Sequence, residues 1–416
     1  MHQLFTFGTS PATPASAEPG ANTQAPTPSL TAQALKIVWT SWCDAVILTQ
    51  DGSEEWELVY RGSGLTSKQQ DHLKQSAHLR RAFNTRDMVV KFFGSAMHDG
   101  LRGYVIASSG DGARENCILL FATDVEIEAG EQEVRGYDIG GVNTILDVKM
   151  QSGGQVLVGV RERGSCQECV VCLRDVGELR KHLEYDGVEL GGRELVSLAS
   201  AVPVQWEMNA TTSTALMPDA RVYTYTSDPR YPRCLGRPDD GIHVFESVPF
   251  LSETEIVKIA SGGYLSATLG SDGELYLWGQ VCPGSTGKLA VLEEAACLNQ
   301  SRSARATGIF VQGDQDELVK CLQVQIDGHE ARVYDVAIGH GHIVVAAEAV
   351  DLGRSKRKCA VFAAGENSQR QLGPGLPNEF SGEFEEIVGL RDKRVTQLAA
   401  AGWSTLMATY GSENST

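Results

Sequence analysis

Three short stretches of this chain place side chains at spacings that could do chemistry. Cys166, Cys169 and Cys172 are clustered in SCQECVVCLRD, and thiolates bind zinc when they converge on a point about 2.3 Å from each sulfur. On a strand, however, residues three apart point to opposite faces, so Cys169 and Cys172 should diverge. No separate Cys-x-x-Cys and no nearby histidine completes a ligand set. The stretch CPGSTGKLA, residues 282–290, has the outline of a phosphate-binding loop. It lacks the first glycine, where Cys282 stands, and the hydroxyl after the lysine, where Leu289 stands. In GHGHI, His340 and His342 share one strand parity, with no third ligand or carboxylate beside them. No Gly-x-Ser-x-Gly elbow or nucleophile–base arrangement occurs. The sequence therefore offers no catalytic, cofactor-binding or metal-ligating residues.

Composition narrows the function classes. The chain has 416 residues, a formal net charge of −17 and 42% hydrophobic residues, enough apolar material for a large core. Phosphate neutralisation needs a concentrated basic face, so the acidic balance argues against DNA binding. It suits solubility or the capture of a basic protein. The one basic cluster is GRSKRK, residues 353–358, read as a solvated hairpin loop or a nuclear-targeting patch. The 10 cysteines show no framework-like spacing and read as reduced thiols. No run approaches a membrane span, and the N-terminus lacks the basic start of an export signal. The expected location is cytoplasmic and nuclear.

These features must be held by something, and the element that recurs is a hairpin. In IASGGYLSATLGSDGELYLWGQ, residues 259–280, two glycines precede an apolar strand, a Ser-Asp-Gly turn and a returning strand ending in Trp-Gly. Asp-Gly favours such a turn because glycine accepts positive φ. Related patterns recur in IVWTSWCDAVILTQDGSEEWELVYRGSG, in VVKFFGSAMHDGLRGYVIASSGDGARENCILLFATD and in ILDVKMQSGGQVLVGVRERGSCQECVVCLRD. They recur again around VQWEMNATTSTALMPDARVYTYTS, in VYDVAIGHGHIVVAAE with CAVFAAGENSQRQLGPG, and in VTQLAAAGWSTLMATYGS. The last copy lacks its returning strand, and HQLFTFGTS at the other end of the chain looks like the missing piece. Pairing the two would close a ring and remove the free edges of an open array. Aligning the glycine turns puts Trp42, Trp403 and His340 at matching positions in copies that ring closure makes neighbours. They form a candidate partner-binding arc, since tryptophan buries much area while keeping a donor available.

Three segments fall outside the repeat. Residues 11–34, rich in Pro, Ala and Thr, are expected to be a disordered insertion. Residues 67–83 have helical spacing, with Leu73, Ala77 and Phe83 on one side. Residues 292–316 read as a loop insertion.

The stretches ASGGYLSATLGSDGELYLWG, AAGWSTLMAT and AAGENSQRQLGPG resemble repeats of the regulator-of-chromosome-condensation (RCC1-like) family. That resemblance implies an all-β, seven-bladed β-propeller occupying residues 1–416 as a single domain, closed by the N-terminal strand in the last blade. The Gly-x-x-His common in such repeats survives only at His342, implying a structural role for that histidine. Within the family, the chain resembles the fungal α-tubulin suppressor or killer-toxin-insensitivity branch. This implies a non-enzymatic role: pairing as a heterodimer with a small CSL-type zinc-binding protein. Through it the branch supports diphthamide synthesis and Elongator-dependent modification of the tRNA wobble uridine. The founding family member implies the alternative, a guanine-nucleotide exchange factor for a small GTPase. Neither reading requires a membrane or a cofactor.

Overall fold

The computed structural model describes residues 1–9, 26–108, 116–139, 143–162, 168–184, 201–226, 228–242, 244–285, 287–293, 307–311, 316–350 and 357–411. Among these, all strand pairs are antiparallel, and most join neighbours in sequence, as short turns between alternating strands dictate; the pairing of the first strand with the last is the long-range exception. Ala34–Thr40, Asp44–Gln50 and Glu57–Gly62 form one sheet. Met88–Ser95, Gly100–Ser108, Cys117–Phe121 and Val134–Asp138 form the next. A third contains Asn143–Met150, Val156–Glu162 and Glu168–Leu173. A fourth contains Gln205–Met208, Thr212–Leu216, Val222–Thr226 and Glu246–Ser247.

The next sheet holds nine strands. It runs from Ile256–Gly262, Leu265–Gly270 and Leu275–Gly279 through Val319–Ile326 to His329–Ile338, His342–Val350, Arg357–Glu366 and Phe380–Glu386. Gly308–Val311 adds to it by pairing with Val319–Ile326. Where a seven-bladed propeller was expected, the described residues form six hydrogen-bonded sheets. The cause is local: Asp327 and Gly328, with φ of 52° and 76°, make a tight turn that keeps Val324–Ile326 paired with His329–Ala331.

The sixth sheet joins the chain ends. His2–Gly8 lies between Leu30–Ala32 and Ser404–Tyr410, and Val395–Ala401 completes the set. Its register runs from His2 opposite Tyr410 to Gly8 opposite Ser404. The N-terminal strand thus supplies the C-terminal sheet, and its Leu4 and Phe5 are completely buried. Side-chain alternation explains the burial, as each takes one face: Leu4 packs with Ile37, Ile47 and Leu406, and Phe5 with Val344, Leu398 and Met407.

The sheets pack face to face through their apolar sides around a central cavity of about 450 Å³. Its walls come from seven strands: Ala34–Thr40, Met88–Ser95, Asn143–Met150, Gln205–Met208, Ile256–Gly262, His329–Ile338 and Val395–Ala401. This is the architecture of an all-β propeller. The segments outside the repeat take definite forms. Residues 67–83 make two helices, Ser67–Gln75 and Ala77–Phe83, each started by a capping hydroxyl, from Thr66 and Ser76. The expected disordered stretch 11–34 ends in the strand Leu30–Ala32, because that segment finds a partner in His2–Leu4; residues 11–25 lie outside the described residues. The expected loop 292–316 contains the strand Gly308–Val311, and its residues 294–306 and 312–315 also lie outside them.

Truncating Phe5 removes a fully buried ring from the closing strand. Phe5→Ala is expected to lower unfolding stability by about 3–5 kcal/mol, measured by urea denaturation. A loss under about 1 kcal/mol would mean that the strand is not packed as described.

Candidate functional site: the turn rim of the propeller

The channel end formed by the turns between first and second strands is positioned by two tiers of contacts between sheets. The lower tier uses one register position. Lys91, Asp147, Gln205, Lys258, Asp335 and Gln397 each stand four residues before the residue that opens the turn. In Ala34–Thr40 the same position is Ile37. From there five of the six, all but Asp147, reach the inner strand of the next hairpin unit. Lys91 pairs with Asp147 at 2.9 Å, and Lys258 pairs with Asp335. Asp335 also accepts the Leu398 N–H at 2.6 Å. Gln205 accepts from the Ile259 N–H at 2.9 Å and donates to its carbonyl at 2.8 Å. Gln397 does the same to Ile37, at 2.8 and 2.6 Å. A β-bulge precedes Asp147, Lys258, Asp335 and Gln397; a bulge re-aims the following side chain, here toward its neighbour. Each bond adds about 1 kcal/mol net, and losing one partner would leave the other unsatisfied in a partly buried seam.

Lys149 also lines the channel. Burial opposes its charge, but Asp147 and Glu207 more than offset that, and its pKa is raised.

The upper tier sits at the start of the second strands. Asp44, only 3% exposed, accepts the N–H groups of Gly64 and Leu101 at 2.9 Å each, and the Tyr60 hydroxyl. His342 occupies the equivalent position two sheets earlier around the closed ring and bonds through Nε2 to Thr405 Oγ1 at 2.9 Å. The turns then stack on one another. The Trp42 N–H donates to Ala96 at 2.9 Å, Ala210 to Gly263 at 2.7 Å, and His340 to Gly402 at 2.6 Å. Gly402 has φ +52°, and a Cβ there would lie 2.3 Å from that of Trp42, so only glycine lets the two turns approach.

Trp42, His340 and Trp403 are brought together on this rim. The His340 and Trp403 rings meet edge to face with centroids 5.6 Å apart. Trp42 is 36% exposed and donates its indole N–H to the His98 carbonyl at 2.8 Å. Their assignment to matching positions is corrected by one residue. Cross-strand register aligns Trp42 with His340 and Gly402, while Trp403 aligns with Cys43 and Gly341. Glycine alignment misleads because it matches Gly402 with Gly339, whereas the strand register sets Gly339 opposite His342 and so aligns it with Ala401. Burial, reinforced by His98 and opposed by Glu366, lowers the His340 pKa.

The other sequence candidates lie elsewhere. Ser285 in the 282–290 loop donates to Glu366 at 2.5 Å, and Gly287 lies against the Phe380 ring. This loop is thereby packed onto the strands Arg357–Glu366 and Phe380–Glu386 of the same nine-stranded sheet. Cys169 and Cys172 join different core clusters on opposite faces of their strand, and Cys166 lies outside the described residues. Among the described residues, no group of three or more His, Cys, Asp or Glu side chains could hold a metal. Burial, then the neighbouring carboxylate, pushes the Cys43 and Cys282 thiols up to about 12, which keeps both protonated and poorly nucleophilic. In the basic cluster, Arg357 pairs with Glu348 and Lys358 with Asp327; residues 353–356 lie outside the described residues. No described helix is long and apolar enough to cross a membrane.

No protein-family model matches the chain, and no curated protein sequence matches it. Solved propeller structures do. Prp20p from Saccharomyces cerevisiae aligns at 12% identity and a TM-score of 0.55, covering 99% of this chain and 92% of that one. The same yeast protein bound to Kap60 aligns at 13% identity and a TM-score of 0.53, covering 99% and 90%. Human WBSCR16 aligns at 11% identity and a TM-score of 0.43, covering 99% and 100%. The chain is a β-propeller. Its fold is similar to that of Prp20p, the yeast RCC1.

His342 makes a pH prediction. Burial lowers its pKa from 6.5 to about 4, so between those values the unfolded chain takes up a proton that the folded chain excludes. The associated stability is complete above about pH 6.5 and is lost as pH falls toward 4, by about 3 kcal/mol at most. His342→Gln should flatten the slope of unfolding free energy against pH over that window. An unchanged slope would assign the acid sensitivity to other groups.

Proposed function

We propose that this chain is a non-catalytic, protein-binding propeller of the RCC1-like kind, docking its partner on the turn rim around Trp42, Trp403 and His340. In this reading the nine-stranded sheet counts as two blades divided at the Asp327–Gly328 turn, which makes seven around the ring. The observation that carries the reading is the adjacency of the three turns: the His340 and Trp403 rings meet, and the turn bearing Trp42 packs against Gly402. Three successive turns, held by two tiers of contacts between sheets, present two indoles and an imidazole at one mouth of a rigid channel. Rigid aromatic groups on a scaffold that need not reorganise are what interface hot spots require.

The likeness to Prp20p, described with binding properties toward Gsp1p and histones, favours a protein ligand. A small GTPase, which the exchange-factor resemblance implies, is the first partner to test. The CSL-type zinc protein, with its link to diphthamide synthesis and Elongator, rests on the sequence resemblance alone, and the same experiment tests it. The tagged protein is purified from its native cell with its partners, and captured GTPases are assayed for release of labelled nucleotide. A captured GTPase whose nucleotide release is accelerated supports exchange activity; a captured small zinc protein supports the alternative.

The rim itself is tested by Trp42→Ala with Trp403→Ala. Partner recovery should fall by about ten-fold or more, as for loss of hot-spot residues, while urea unfolding stays cooperative. Undiminished recovery would place the docking surface elsewhere. Failure of the double variant to fold would assign both rings to packing between blades.

A further inference from the structure

The turns at this channel mouth lack positive charge. Residues 41–43, 95–99, 151–155, 209–211, 262–264, 339–341 and 401–403 include no lysine or arginine, and their imidazole and carboxyl groups are His98, Asp99 and His340. Two carboxylates frame the aromatic arc. Asp99 follows the residue whose carbonyl holds the Trp42 indole, and its side chain is 47% exposed. Its own partner, Arg102, is buried and turned toward Glu126 at 2.6 Å, leaving Asp99 at 3.4 Å. On the other flank Glu366 lies beside His340 and packs against Gly341.

The protein's own cations leave the indoles open. Among the described residues, lysine and arginine stack on Phe5, Tyr137, Tyr231 and Tyr334, and none covers Trp42 or Trp403. Tryptophan is the strongest cation–π acceptor of the side chains. A neutral His340 adds no repulsion, and the net charge of −17 attracts basic segments over longer range.

We propose that the rim at Trp42, Trp403 and His340 receives a lysine- or arginine-bearing segment of a protein partner, whose cation rests against the indoles between Asp99 and Glu366. This rests on the rim being the docking surface and adds the chemistry of what docks there. Cation–π attraction supplies the contact, the two carboxylates supply the field, and the narrow turn rim favours an extended segment over a broad basic face.

The test titrates the full chain with a soluble lysine- and arginine-containing peptide and with its glutamate-substituted counterpart, read by tryptophan fluorescence and calorimetry. The basic peptide should bind and the acidic one should not. Trp42→Ala with Trp403→Ala should weaken binding about ten-fold, and Trp42→Phe with Trp403→Phe only about three-fold, because phenylalanine keeps a weaker π face. Asp99→Asn with Glu366→Gln should weaken binding about three-fold at low salt and less at high salt. Equal binding of the two peptides, or full binding by the alanine pair, overturns the proposal. If the alanine pair loses its captured cellular partner but the parent chain never binds the basic peptide, the rim stands and the cation chemistry is wrong. If neither partner nor peptide depends on the tryptophans, both readings fall. Should the alanine pair not fold, the phenylalanine and carboxylate pairs carry the test.

Discussion

The pairing of His2–Gly8 with Ser404–Tyr410 is the constraint on which the rest of the structure depends. Each sheet here is too small to hide both of its faces, so each needs a neighbour on either side. An open row of such sheets would leave one apolar face bare at each end. Bringing the first strand into the last sheet turns the row into a ring and lets the sheets at the two chain ends bury their faces on each other. Phe5 and Leu4 show the consequence: one residue seals the C-terminal sheet against the sheet before it, and the next seals it against the first.

Once closed, the ring is tightened at its inner edge. The polar position four residues before each turn crosses a seam at Lys91, Gln205, Lys258, Asp335 and Gln397. Asp44 and His342 cross two of the seams again nearer the turns. Backbone bonds between neighbouring turns then fix their spacing. The turns that carry the aromatic arc are therefore held by main chain and buried polar contacts. Such a scaffold is why a propeller rim can serve as an interaction face.

The features legible in the sequence were those set by short-range chemistry. Glycine turns, alternating strands and the orphan strand at residues 2–10 gave the repeating hairpin and its closure, and the family resemblance of the repeats implied the propeller. The spacing of Leu73, Ala77 and Phe83 gave the helical segment, although not the break at Ser76 that makes two helices. The strand rule separated Cys169 from Cys172. What escaped depended on geometry across seams. Glycine alignment placed Trp403 one residue out of register, since it matched Gly402 with Gly339, the counterpart of Ala401 across the ladder. The six-member set of polar residues four before the turns was present in the letters. It reads as chemically mixed, Lys, Asp and Gln, so no residue-type pattern exposes it; only its register does. The strand at Leu30–Ala32 was hidden because its partner lies across a Pro-rich stretch, and the merging of two hairpin units at Asp327–Gly328 depends on how far pairing continues beyond a turn.

Hydrogen exchange of the amides in residues 2–8, followed by mass spectrometry in the full chain, tests ring closure most directly. The account predicts that they are protected as strongly as those of residues 404–410, because the two strands share one ladder and open together. Exchange of residues 2–8 at the rate of an unfolded chain, with residues 404–410 still protected, would contradict it.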